Sequence, residues 1–168
     1  MIRDALPADV AAIVAIYDHH VRNGVATYDT EAPSIYAMQA KLEAVRAAGW
    51  PWLVVEHDGG VAGYAYATQI RDRAGYRYTA EDSIYVAASH TRQGLGGRLL
   101  TTLVARCEAA GFRQLIAVIG GAEPGSIALH AAAGFSEVGR LHAVGFKFGR
   151  WLDNVYMQRA LGEGDAAL

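Results

Sequence analysis

The sequence holds a single cysteine, Cys107, so no internal disulfide can form. Small exported domains more often carry cysteine pairs, and a cytoplasmic location is the expectation. There is no basic excess: 15 lysines and arginines face 17 acidic residues, for a net charge of −2. That argues against a chain whose main partner is a nucleic-acid backbone. Long apolar runs are missing too; the longest reach about half a membrane span. The first residues lack a positively charged leader pattern, so neither a signal peptide nor a membrane partner is expected. The histidines, His19, His20, His57, His90, His130 and His142, form no His-Glu-x-x-His pattern and no pairing with cysteine. No metal is therefore expected. A Gly-x-Ser-x-Gly elbow is also absent, so no covalent nucleophile is visible.

What is abundant is glycine. The chain has 19 in 168 residues, where the usual share of about 7% would supply about 12. Hydrophobic residues make up 52%, which excludes a disordered chain. The length suits one domain. Its expected extent is residues 1–161, with 162–168 as a frayed tail.

Periodicity predicts short strands at 2–5, 52–56, 61–68, 79–86, 114–119, 135–141 and 152–159. It predicts helices opening at Pro7, at Pro33-Ser34 and at Gly94, and a short one at 124–133. In the Gly94 helix, Leu95, Leu99, Leu103 and Cys107 share one stripe, so Cys107 reads as core. Antiparallel strands come first and strand–helix–strand units follow. That order predicts an α/β layered domain around a central mixed sheet.

One segment carries chemistry. Ser83-Ile84-Tyr85-Val86 precedes His90-Thr91-Arg92-Gln93-Gly94-Leu95-Gly96-Gly97-Arg98. A strand runs into a glycine loop, and the loop into the strongest helix. Free N–H groups at a helix start bind phosphate, and glycine lets the backbone come close. Arg92 and Arg98 add charge. A dinucleotide fingerprint would need glycine at Leu99, and a P-loop would need Gly-Lys-Ser/Thr. Neither is present. On spacing alone, a plain glycine turn between strand and helix is the alternative.

The strand ending Ile84-Tyr85-Val86, the Gly94-x-Gly96-Gly97 loop and His130-x-x-x-Gly134-Phe135 resemble the GNAT superfamily of acetyl-CoA-dependent N-acetyltransferases. Within it, the sequence is similar to the phosphinothricin and methionine sulfone/sulfoximine acetyltransferase group. Thr79-Ala80-Glu81, Ala117-Val118-Ile119-Gly120 and Val144 to Asp153 carry that likeness, which spans about residues 2–160. The resemblance implies a mixed, mostly antiparallel sheet with a splayed parallel strand pair and helices on both faces. It also implies acetyl-CoA as cosubstrate. Its pantetheine arm would pair with the backbone of Ile84, Tyr85 and Val86. Its diphosphate would sit on Thr91, Arg92, Gln93, Gly94, Leu95, Gly96 and Gly97. Glu123 and Ser126 would meet the arm from the next helix. Two positions depart from the family. Thr91 stands where Gln or Arg is usual, and Glu123 where Asn is common.

Acetyl transfer needs a neutral amine, a polarised carbonyl and a proton for the leaving thiolate. Glu81 is the candidate base; by strand alternation it shares a face with Ser83 and Tyr85. The N–H of Val86 is the candidate polariser. The resemblance makes His130 the candidate acid or a holder of the substrate, with Tyr85 as the competing donor. Each has a plainer alternative as a packed or exposed side chain. Without a nucleophile, direct attack in a ternary complex is favoured. Arg71 and Arg73, interleaved with Tyr76 and Tyr78, would grip an acid-bearing small amine, because arginine forks hold carboxylates. Tyr28 would help enclose it, and Phe148 and Trp151 either wall the pocket or pack a hairpin. The family's last hairpin also implies a homodimer. A protein N-terminus, a polyamine or a non-catalytic acetyl-CoA-binding role are the alternatives.

Overall fold

The fold is given by a computed structural model that describes residues 1–167. Leu168, the end of the expected tail, lies outside the described residues. The rest of that tail is held in part: Arg113 donates to the carbonyls of Gly164 and Ala166.

Seven strands form one sheet. In chain order the elements are β1 (Ile2–Asp4), α1 (Val10–Asn23), α2 (Ile35–Ala47), β2 (Trp52–His57), β3 (Gly60–Gln69), β4 (Thr79–Val86), α3 (Leu95–Ala109), β5 (Gln114–Gly120), α4 (Pro124–Ala132), β6 (Ser136–Lys147) and β7 (Arg150–Ala160). Across the sheet the order is β1-β2-β3-β4-β5-β7-β6. Among the described residues only β4 and β5 run parallel, joined by the α3 crossover. One face is covered by α1 and α2, through Ile13, Leu42, Trp52 and Tyr64. The other is covered by α3 and α4, through Leu99, Leu103, Cys107 and Leu115. Cys107 is fully buried, as its helix stripe requires. Among the described residues no helix is long and apolar enough to cross a membrane.

Several boundaries differ from the sequence expectation. Pro7 opens a 3-10 turn, Pro7–Asp9, and α1 starts only at Val10. Asp9 is occupied there, accepting from Leu6 N and pairing with Arg3 at 2.7 Å. The last two strands are longer than the expected 135–141 and 152–159. The two-residue turn at Phe148 and Gly149, both at positive φ (52° and 71°), closes a tight hairpin that extends their pairing to Lys147 and Arg150.

Two glycines anchor the end of β5. At Gly120 a Cβ would stand 2.4 Å from Val25 O; at Gly121, whose φ is +65°, it would stand 2.4 Å from Val25 Cγ2. Gly121→Ala is therefore expected to cost about 1–3 kcal/mol from its backbone alone. Each kcal/mol lowers Tm by about 2–4 °C in a chain of this size. A thermal melt with unchanged Tm would contradict this packing.

Candidate active site

The parallel pair does not stay paired. β4 meets β5 only at Thr79↔Gln114, Ala80↔Leu115 and Glu81↔Ile116. Beyond Glu81 the strands diverge, and β5 keeps its bonds to β7 through Gly120↔Asn154. A cavity of about 230 Å³ opens in the gap. Its walls include Glu81 to Tyr85 on β4, Ala117 to Gly120 on β5, and Ser126 and His130 on α4. Backbone polarity follows from the β3–β4 ladder. Ala87 N donates to Ala62 O, so the N–H of Val86, one residue earlier, points away from β3 into the gap. Buried peptide groups need partners, and an amide-bearing ligand arm can supply them.

Glu81 and His130 approach this gap from opposite faces of β4. Glu81 shares its face with Ser83 and Tyr85, toward α1 and α2. Burial pushes its carboxyl above the usual carboxylate range, and the charge of Asp82 adds to that. Arg71 and Lys41 pull the other way, so both cations stand near it. The Tyr85 ring packs against Tyr17, Tyr64 and His20, with centroids 5.1–5.3 Å apart. Its burial keeps the phenol protonated well above the ordinary tyrosine range.

On the other face, His130 is 2% exposed. Its Nε2 lies 3.1 Å from Asp82 Oδ2 and its Nδ1 lies 2.7 Å from Ser126 O. Burial alone would lower its basicity, but the Asp82 bond and charge outweigh that and raise it.

The glycine loop follows the end of β4 and does not itself line the cavity. Arg92 and Gly94 both take positive φ (59° and 75°), which turns the chain into α3. The first N–H groups of the helix, at Leu95, Gly96 and Gly97, have no acceptor one turn back. A Cβ at Gly94 would meet open space, and at Gly97 only Leu129 Cδ1 at 4.0 Å. Arg92 and Arg98 are exposed beside these donors. Free N–H groups of this kind suit an anionic ligand such as a phosphate.

Residues 2–156 match the acetyltransferase (GNAT) domain family. The chain belongs to the GNAT acetyltransferases. It is 52% identical to the phosphinothricin N-acetyltransferase of Alcaligenes faecalis, over 95% of this chain and 82% of that one. It is 40% identical to the L-methionine sulfoximine/L-methionine sulfone acetyltransferase of Salmonella typhimurium, over 96% and 95%. Among solved structures, a GNAT superfamily phosphinothricin acetyltransferase from Sinorhizobium meliloti, in complex with acetyl-CoA, superposes with a TM-score of 0.97. That protein shares 50% identity, over 100% of this chain and 91% of its own.

In this acetyltransferase the gap gathers Glu81, Ile84, Tyr85, Glu123, Ser126, His130 and Tyr28. Some of them have structural work. The Tyr28 hydroxyl accepts from Gly121 N at 2.9 Å and donates to Asp153 O at 3.0 Å. Glu123 caps α4, accepting from Gly125 N and Ser126 N. Its carboxylate is thereby committed to the helix start rather than reaching freely for a ligand arm. Thr91 turns its hydroxyl back to Ala88 O. Arg71, Arg73, Tyr76 and Tyr78 do not line the gap; Arg71 is exposed, near enough for its charge to act on Glu81. Arg77 lies over the Tyr78 ring instead. Phe148 and Trp151 do not wall it either; they are 56% and 67% exposed.

Other residues of the acetyltransferase site escape sequence reading. His20 donates from Nε2 to Val86 O at 2.9 Å, and burial lowers its basicity. Asn154 lines the gap with a buried, unpartnered Oδ1. Asp82 pairs with His130. Strand alternation does place Asp82 opposite Glu81, and that was the available signal.

Proposed function

We propose that this acetyltransferase moves the acetyl group of acetyl-CoA to the primary amine of a small amino acid or an analogue of the phosphinothricin or methionine sulfone/sulfoximine type. The observation that supports this most directly is the splayed gap, with a half-buried carboxylate on one face of β4 and a buried histidine on the other. A base and an acid on opposite sides of one cleft suit a reaction that removes one proton and adds another. Glu81 takes the proton that the attacking amine sheds. The Val86 N–H polarises the thioester oxygen, and His130 supplies the proton for the departing thiolate. No nucleophile intervenes, so amine and thioester meet directly. Ile84 to Val86 hold the ligand arm, and Arg92 to Gly97 hold the diphosphate. Arg71 favours an amine that carries an acidic group.

A thiol-release assay tests the reading. Acetyl-CoA is offered with phosphinothricin, methionine sulfone, methionine sulfoximine, spermidine and a short peptide. Release with the acid-bearing amines supports it. Acetyl-CoA binding without release from any amine defeats it.

The same reading makes the enzyme a homodimer. Val138, Leu141, Val144, Phe146 and Trp151 are 47–67% exposed on the outer hairpin β6–β7. An exposed apolar patch of this kind favours a protein partner. Trp151→Asp is expected to shift sedimentation toward the monomer. An unchanged wild-type dimer in that variant would place the interface elsewhere.

A further inference from the structure

His130 is held between two acceptors. Ser126 O lies 2.7 Å from Nδ1, and Asp82 Oδ2 lies 3.1 Å from Nε2. A backbone carbonyl can only accept, and so can an ionised carboxylate. A neutral imidazole has one N–H, so one nitrogen would turn its lone pair toward an acceptor; the Ser126 hydroxyl, which could donate to Nδ1, lies 3.4 Å away against 2.7 Å for Ser126 O. The imidazolium satisfies both. Asp82 needs this cation as much as His130 needs the carboxylate. Its side chain is 1% exposed, and its Oδ1 has no partner. A buried carboxylate without a neighbouring cation is strongly disfavoured.

Among the described residues, Asp82 has no ion-pair partner besides His130. From α3, the Cys107 thiol faces it, pushed up to about 12 by burial and by Asp82, and so stays neutral. β5 carries no ionisable side chain. Glu81, next along β4, is acidic. On α4 itself, Glu123 is spent on Gly125 N and Ser126 N.

We infer that Asp82 is a positioning residue that holds His130 as an imidazolium at the wall of the cleft. The inference rests on the reading of His130 as the acid given above. It explains how one site can serve opposite needs. The amine reacts better as pH rises, while an ordinary histidine loses its proton near pH ~6.5. Asp82 keeps that proton in place over the range where the amine becomes reactive.

The test reads protonation directly. In the intact protein with ¹⁵N-labelled histidine, the His130 NMR signals should still report an imidazolium at a pH where an ordinary histidine, near ~6.5, has lost its proton. A neutral His130 in the wild type at that pH overturns the inference. In Asp82→Asn the transition should fall toward that of an ordinary histidine or below it. The alkaline limb of kcat should move down with it, leaving kcat at the pH of that comparison about tenfold lower. KM for acetyl-CoA should stay within about twofold, and Asp82→Glu should recover part of the limb. If His130→Gln is slow but Asp82→Asn keeps the wild-type limb, the inference falls and the acid assignment stands. If His130→Gln is as fast as wild type, the acid assignment falls and takes the inference with it.

Discussion

Glu81→Gln is expected to lower kcat by about 100- to 10,000-fold, the usual worth of a positioned general base. Glutamine keeps the size and polarity of the side chain but cannot accept the proton. The backbone edge of β4 that would receive the cosubstrate is unaffected, because residue 81 pairs with Ile116 through its main chain. Acetyl-CoA affinity should therefore stay within about threefold. The pH profile carries the sharper signal. Burial, then Asp82, raises the Glu81 carboxyl above the usual carboxylate range. The base works when ionised, so activity is lost as pH falls through that raised value. The acid limb should lie above the range of an ordinary glutamate and should vanish in the Gln variant. Equal rates for variant and wild type at every pH would remove Glu81 from the chemistry.

Gly97→Asp is expected to weaken acetyl-CoA binding by roughly 10- to 100-fold. A charge-assisted hydrogen bond is worth about 1.5–3 kcal/mol, and each 1.4 kcal/mol is about tenfold in affinity. The substitution places a Cβ and a negative charge where the diphosphate should approach the N–H groups of α3. The fold should tolerate it. A Cβ at Gly97 would meet nothing closer than Leu129 Cδ1 at 4.0 Å. A carboxylate in the first turn also favours the helix dipole, and glycine inside a helix is itself costly. Stability and binding should thus move in opposite directions. Calorimetry for affinity and a thermal melt for Tm separate the two. Unchanged affinity would place the diphosphate elsewhere.

The local parts of this site are legible in the sequence because their causes are local. Alternation along Thr79–Val86 puts Glu81 and Tyr85 on one face whatever the rest of the chain does. Glycines at 94, 96 and 97 followed by the leucine stripe define a helix start open to phosphate. Much of the glycine surplus finds its cause there and at the end of β5. Other features depend on chain segments far apart. Glu123 and Tyr28 look like ligand residues by position. Only their partners, the α4 amides in one case and Gly121 and Asp153 in the other, reveal structural bonds. Phe146 and Trp151 have core chemistry but lie exposed on the outer hairpin.

The sequence by itself determined the strand–loop–helix unit, the likeness of the chain to acetyltransferases and the candidacy of Glu81 and His130. Each depends on spacing within a few residues, or on motifs read in register. The tertiary structure decided the Asp82–His130 pair, the His20 bond to Val86 O and the splay beyond Glu81. These join groups 48 and 66 residues apart, or the ends of two strands. Periodicity reports which face a side chain takes; only packing decides which polar group waits on that face.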